Sequence, residues 1–131
     1  MATFLFNKLI RDGLEATYVE LNQQATYRKL SNKEYIQALK DKLIEEAKEI
    51  NPEDRESVIN ELADVCQVIE DLSNAYNISS VEINTVKDAK FKKKGGFSKA
   101  LFVEKLKLTD DDEWNDYYRK EPEIFKELPN E

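Results

Sequence analysis

The pattern of apolar and polar positions predicts two helices through the middle of the chain. The first begins at Ser31, which with Glu34 forms a capping-box pattern. Apolar residues then recur at helical spacing: Ile36, Leu39, Leu43 and Ile50. Glu46, three residues after Leu43, falls on the same stripe. A carboxylate is therefore expected on the packed side of this helix.

The second helix follows a break at Asn51 and Pro52. We expect Pro52 to begin this helix and Asn51 to cap it. Its apolar positions alternate four- and three-residue steps: Val58, Leu62, Val65, Ile69, Leu72 and Tyr76. Such a run is a strong packing signal. Glu61 lies between Val58 and Val65 near the packed side, and Asp64 follows one turn later.

Shorter elements are predicted before the Ser31 cap. The apolar residues 3–6 fit either a strand or a first helical turn that buries Phe4 and Phe6. A weak helix, interrupted at Gly13, continues to about Leu21, where a polar stretch ends it.

A third strongly signalled helix is predicted after Tyr76. Ser79 and Glu82 repeat the capping-box pattern, and Gly95 ends the helix. Its last turns carry a basic run: Lys87, Lys90, Lys92, Lys93 and Lys94. The helix dipole favours cations at this end, which accounts for most of these lysines.

A set of five carboxylates lies at the centre of the stretch formed by the two helices: Glu45, Glu46, Glu49, Glu61 and Asp64. A short connection makes these helices antiparallel neighbours, which brings Glu46 and Glu49 within reach of the carboxylates of the second helix. Carboxylates on a partly buried seam repel one another unless a cation neutralises them. Oxygen ligands suit Mg²⁺ or Mn²⁺, which also bind substrate phosphates. The alternative is a solvated acidic face, since 36% of the residues are charged.

Composition narrows the possible chemistry. The chain has no His, which excludes Ser-His and Cys-His catalysis and His-containing zinc sites. The single Cys66 lies on the apolar side of the second helix and is predicted to be a buried small hydrophobe. A net charge of −7 argues against nucleic-acid binding. Without a long apolar run or a signal-peptide pattern, we expect a cytoplasmic protein with no membrane partner.

The length of 131 residues predicts one domain, 1–131, with a helical core at about 31–96. The expected fold class is all-α. A C-terminal tail at about 108–131 should contain a short helix with Trp114, Tyr117 and Tyr118 on one side. We assign this tail to packing or an interface.

Three pieces of sequence occur in a fixed order: Asn7-Lys8-Leu9-Ile10-Arg11-Asp12, then Glu45-Glu46-x-x-Glu49 with Glu61-x-x-Asp64, then Lys93-Lys94-Gly95-Gly96-Phe97. Together they resemble the MazG-like superfamily of all-α nucleoside triphosphate pyrophosphohydrolases, and they cover about residues 4–105. The resemblance implies an antiparallel helix bundle completed by oligomerisation, as a homodimer or homotetramer.

The resemblance also implies an activity, which is Mg²⁺-dependent hydrolysis of a nucleoside triphosphate at the α-phosphorus to the monophosphate and pyrophosphate. Mn²⁺ is a possible substitute for Mg²⁺. Four carboxylates would hold the metal: Glu46, Glu49, Glu61 and Asp64. Glu45 would be a further ligand or would orient water. Five cations are candidates for contacting the nucleotide: Lys8, Arg11, Lys87, Lys90 and Lys94.

The same residues are also consistent with other roles and other functions. Lys8 and Arg11 share one helical face and can equally form surface ion pairs. Within the family, the chain could be the phosphoribosyl-ATP pyrophosphatase of histidine biosynthesis, although the segment from Lys8 to Asp12 resembles the general MazG-like branch and favours non-standard or damaged nucleotides. Outside enzymes, the rival is a non-catalytic helical module for oligomerisation or partner binding.

Overall fold

A computed structural model describes residues 1–51 and 53–130. Within these ranges the chain forms five α-helices and no β-strand: α1 (Leu14–Glu20), α2 (Asn32–Lys48), α3 (Arg55–Ala75), α4 (Ser80–Lys94) and α5 (Trp114–Arg119). The all-α prediction is confirmed. None of these helices combines the length and apolar character needed to cross a membrane. The chain divides into two compact units, Met1–Lys94 and the residues from Gly95 onward. The extent of the functional domain stays a prediction.

Local capping interactions set the starts of α2 and α4. The Ser31 hydroxyl accepts a hydrogen bond from the Glu34 amide at 3.2 Å, and the Glu34 carboxylate accepts one from the Ser31 amide at 3.2 Å. Ser79 and Glu82 make the same reciprocal pair at 3.2 and 2.8 Å. Both predicted capping boxes are confirmed.

The start of α3 differs from the prediction. The Asp54 side chain accepts a hydrogen bond from the amide two residues on at 3.1 Å, and the helix begins at Arg55. Asn51 instead accepts from the Glu53 amide at 3.1 Å and so stabilises the turn before the helix. Asp54 is the better-placed cap because it is directly followed by the helical residues. Pro52, the predicted first residue, lies outside the described residues.

α2 and α3 pack against each other as an antiparallel hairpin. Glu46, near the end of α2, lies beside Glu61 near the start of α3. At the other end, burial and the nearby charge of Asp71 raise the pKa of the Tyr35 phenol. The start of one helix therefore lies beside the later turns of the other, as the short connection predicts.

Leu39 and Val68 form the apolar centre of the hairpin, with exposed fractions of 3% and 7%. The side of α3 that packs on α2 consists of Val58, Glu61, Val65, Val68 and Leu72, all buried or half-buried. The predicted α3 stripe is thus correct for three of its members. It is wrong for Leu62, Ile69 and Tyr76, which are exposed.

α3 has a second apolar side that α2 does not cover. This outer face consists of exposed residues at helical spacing: Ile59, Leu62, Cys66, Ile69 and Tyr76. The prediction that Cys66 is buried is therefore wrong. A single neighbouring helix covers one side of α3, whereas the predicted stripe combined residues from both sides.

The N-terminal segment forms neither the strand nor the helical turn considered for residues 3–6. The predicted burial of Phe4 and Phe6 is wrong, because their exposed fractions are 78% and 58%. α1 begins directly after Gly13 and has no buried residue. The predicted helical structure before Gly13, in which Lys8 and Arg11 would share a face, is absent from residues 8–11. An apolar pair at the start of the chain is not sufficient for burial without a packing partner.

The unit from Gly95 onward contains α5 and an aromatic cluster. The ring centroids of Trp114 and Tyr117 are 5.2 Å apart, and those of Tyr118 and Phe125 are 4.8 Å apart, both pairs edge to face. The predicted short helix with aromatic residues on one side is confirmed.

We expect Leu39→Ala to lower the free energy of unfolding by about 2–5 kcal/mol, because it leaves a cavity between α2 and α3. Leu21→Ala is the matched control: Leu21 is 60% exposed, and its truncation should cost less than about 0.5 kcal/mol. Urea unfolding followed by circular dichroism measures both. Equal losses would contradict the assignment of Leu39 to the core.

Candidate metal centre

Three carboxylates meet where α2 and α3 pack together. Glu46 comes from α2, and Glu61 and Asp64 come from adjacent positions on the facing side of α3. One oxygen from each of the three lies within 4.8 Å of the others. The antiparallel hairpin produces this meeting because it places the last turns of α2 beside the first turns of α3. The sequence predicted that these three residues would come together with Glu49, which is not a member of the cluster.

The three carboxylates are more enclosed than those of a solvated acidic face, because Glu46 is buried and Glu61 and Asp64 are half-buried. Glu46 is 8% exposed. The Oε2 atom of Glu61 is inaccessible and has no hydrogen-bond partner among the described residues. Burial, the charge of Glu49 and the neighbouring Glu46 carboxylate together raise the pKa of Glu61. The cluster therefore holds negative charge that the surrounding protein groups satisfy incompletely.

Two cations of the N-terminal segment contact carboxylates of this region. The Arg11 Nη2 donates to Asp64 Oδ1 at 2.6 Å, and the Lys8 Nζ donates to Glu45 Oε1 at 2.8 Å. The hydrogen bond between Lys8 and Glu45 raises the pKa of the lysine and lowers the pKa of the carboxyl. These contacts are ion pairs, the alternative that the sequence left open. A contact with substrate stays a prediction.

A third cation, Lys42, was missed by the sequence reasoning. Its Nζ lies 3.5 Å from Glu46 Oε1 and 3.7 Å from Glu45 Oε2. The spacing in the sequence was sufficient to identify Lys42, because it precedes these carboxylates by three and four residues and so lies on their side of α2. Its side chain is 23% exposed, which makes it the most enclosed of the three cations.

The balance of charge favours a divalent cation. With all groups ionised, the five predicted carboxylates and the three cations leave two negative charges. The donors of the cluster are carboxylate oxygens, which suit Mg²⁺ or Mn²⁺ better than softer metals. The unpartnered oxygen of Glu61 fits this interpretation, because a metal ion would satisfy it.

Some of the predicted site residues are not part of the three-oxygen cluster. Glu49 caps the end of α2 and is exposed, although its charge acts on Glu61. Lys87, Lys90 and Lys94 lie on α4, which has no buried residue. Among residues 1–51 and 53–130, no ion pair joins these lysines to the carboxylates. The structure of a single chain therefore does not test the prediction that these lysines contact the nucleotide.

No protein-family model, curated protein or solved structure matches this chain. The resemblance to MazG-like enzymes consequently rests on the three pieces of sequence named above.

We expect Glu61→Gln to raise the melting temperature of the metal-free protein. The raised pKa of Glu61 means that ionisation is less favourable in the folded state, so the charge present at neutral pH costs stability and the neutral amide removes that cost. The same change should reduce the further gain in melting temperature on adding Mg²⁺. Thermal unfolding at constant ionic strength, with and without Mg²⁺, measures both effects.

Glu70→Gln is the control for this experiment, because Glu70 is an exposed carboxylate on the same helix. It should leave both melting temperatures close to those of the original protein. A Glu61→Gln protein less stable than Glu70→Gln without metal would contradict the unpaired-charge interpretation.

Proposed function

We propose that this protein hydrolyses a nucleoside triphosphate to the monophosphate and pyrophosphate, with Mg²⁺ as cofactor. The observation that carries the proposal is the clustering of Glu46, Glu61 and Asp64, of which Glu46 is buried, together with an inaccessible Glu61 oxygen that has no partner among the described residues. The resemblance to MazG-like pyrophosphohydrolases supplies the substrate class and the site of attack. Within that class, the segment from Lys8 to Asp12 favours non-standard or damaged nucleotides.

In this proposal, Glu46, Glu61, Asp64 and Glu49 would hold the metal. Bound Mg²⁺ neutralises phosphate charge and makes water more acidic. Glu45 has a different role, because its pKa is lowered by Lys8 and a carboxylate of low pKa is a weak proton acceptor. We therefore assign Glu45 to orienting the attacking water by hydrogen bonding.

We also propose that the protein works as a homo-oligomer. Among the described residues, Leu39 and Val68 are the buried apolar side chains, which is a small core for a chain of 131 residues. The outer face of α3 is made of apolar residues and is exposed along several turns. Packing two such faces about a twofold axis buries the same residues on both copies.

Leu62→Asp should convert the oligomer to monomers, because it places a charge in the middle of the outer face of α3. Val19→Asp is the control, since Val19 is exposed on α1 and outside that face. Size-exclusion chromatography with light scattering gives the mass of each protein. A monomeric original protein at micromolar concentration would contradict the proposal.

The proposed activity is tested by incubating the protein with canonical, deoxy, oxidised and deaminated triphosphates and with phosphoribosyl-ATP, with and without Mg²⁺. We expect pyrophosphate and the matching monophosphate to appear only with the metal. Preference for phosphoribosyl-ATP would favour the histidine-biosynthesis alternative. Orthophosphate and diphosphate would place the attack elsewhere, and no turnover at all would favour the non-catalytic module.

Glu49→Gln and Asp64→Asn should each reduce turnover by about two orders of magnitude or more, because each removes a proposed metal ligand. Circular dichroism should show unchanged helix content. Glu70→Gln is again the control and should keep full activity. A fully active Glu49→Gln protein would remove Glu49 from the ligand set.

A further inference from the structure

The N-terminal segment reaches the carboxylate cluster through two cations separated from their partners by long stretches of sequence. Arg11 and Asp64 are 53 residues apart, and Lys8 and Glu45 are 37 residues apart. These are the long-range side-chain hydrogen bonds that join the segment before α1 to the α2–α3 hairpin. The contacts are therefore specific features of the tertiary structure.

Arg11 contacts one of the three carboxylates that form the cluster. Its guanidinium donates to Asp64 Oδ1 at 2.6 Å, while an Asp64 oxygen also lies within 4.8 Å of oxygens from Glu46 and Glu61. A guanidinium and a divalent cation repel each other at such short range. Arg11 in this position consequently competes with a metal ion for Asp64.

Arg11 is held in place neither by a helix nor by burial. It precedes α1 in a segment without helix or strand, and its side chain is 59% exposed. Lys8, in the same segment, is 54% exposed. Lys42 differs because it is part of α2 and is largely enclosed. The three cations thus divide into one fixed group and two displaceable groups.

We propose that Arg11 exchanges partners during the binding cycle. In the metal-free protein it neutralises Asp64, and when a divalent cation takes Asp64 the released guanidinium binds a phosphate oxygen of the nucleotide. Guanidinium groups suit both partners, because carboxylate and phosphate oxygens match their donor geometry. Metal binding then precedes and favours nucleotide binding. This inference rests on the proposed function, since it assumes that metal and nucleotide share the site.

The variant Arg11→Gln tests separately the two parts of the proposed exchange, which are competition with the metal and binding of phosphate. Isothermal titration calorimetry with Mn²⁺ should show about two- to fivefold tighter metal binding, since a competing ion pair of the exposed kind is removed. Titration with the magnesium complex of inorganic tripolyphosphate, at saturating Mg²⁺, should show about tenfold weaker binding, since a charged hydrogen bond is lost. Tripolyphosphate is used as the probe because its binding does not depend on recognition of a nucleobase.

Arg28→Gln is the matched control. Arg28 also pairs with a carboxylate, Glu34, at 2.9 Å, but Glu34 lies at the opposite end of α2 from Glu46, about 18 Å along the helix. Both affinities should stay at the original values. Arg11→Lys is the second variant, for use if Arg11→Gln fails to fold: it keeps the charge, so its metal affinity should lie between those of the other two proteins.

Changes of opposite sign, tighter metal and weaker tripolyphosphate, would support the exchange. A variant that weakens both ligands would show that Arg11 only stabilises the site, and unchanged metal affinity would show that Arg11 does not compete; either result overturns the inference. If the original protein binds Mn²⁺ and turns over nucleotides while Arg11→Gln behaves like Arg28→Gln, this inference fails and the proposed function stands. If the original protein binds no metal, both fail.

Discussion

The repulsion among carboxylates at the α2–α3 contact is the constraint on which the rest of this structure depends. Two amphipathic helices with only apolar residues on their packed sides would form a hairpin without any charge repulsion. Here Glu46 and Glu61 occupy positions on the packed side. Their charges oppose the burial that holds the helices together. The protein offsets part of this cost with Lys42 from the same helix and with Lys8 and Arg11 from a distant segment. The conformation of the N-terminal segment is thus tied to the charge of the hairpin.

Features that depend on neighbouring residues in the sequence were predictable. The capping boxes at Ser31 and Ser79 and the end of α4 before Gly95 follow from interactions within four residues. The meeting of Glu46 with the α3 carboxylates was also predictable, because a short connection leaves an antiparallel hairpin as the simple arrangement.

Features that depend on which partner covers a surface were not predictable. Apolar residues occupy two sides of α3, and a single helix neighbour covers the side containing Val68 while Leu62 and Cys66 remain exposed. The spacing of apolar residues shows that a helix has apolar positions, but it does not show which side of the helix a neighbouring helix covers. In the same way, no local rule pairs Arg11 with Asp64 across 53 residues. The sequence identified both residues as candidates without showing that they contact each other.

The burial of Glu46 and the inaccessibility of the Glu61 Oε2 atom are the physical reasons to distinguish this acidic seam from a solvated face. Acidic residues on a solvated face keep their hydration and have no cost to offset, as Glu70 does on the exposed side of α3. An inaccessible carboxylate oxygen with no donor among the described residues is costly unless a cation completes its surroundings. Nearby lysine and arginine side chains already engage Glu45, Glu46 and Asp64, yet the Glu61 oxygen remains without a partner. A divalent ion among the three carboxylates would satisfy this oxygen, and this is the argument from the described residues for the proposed metal.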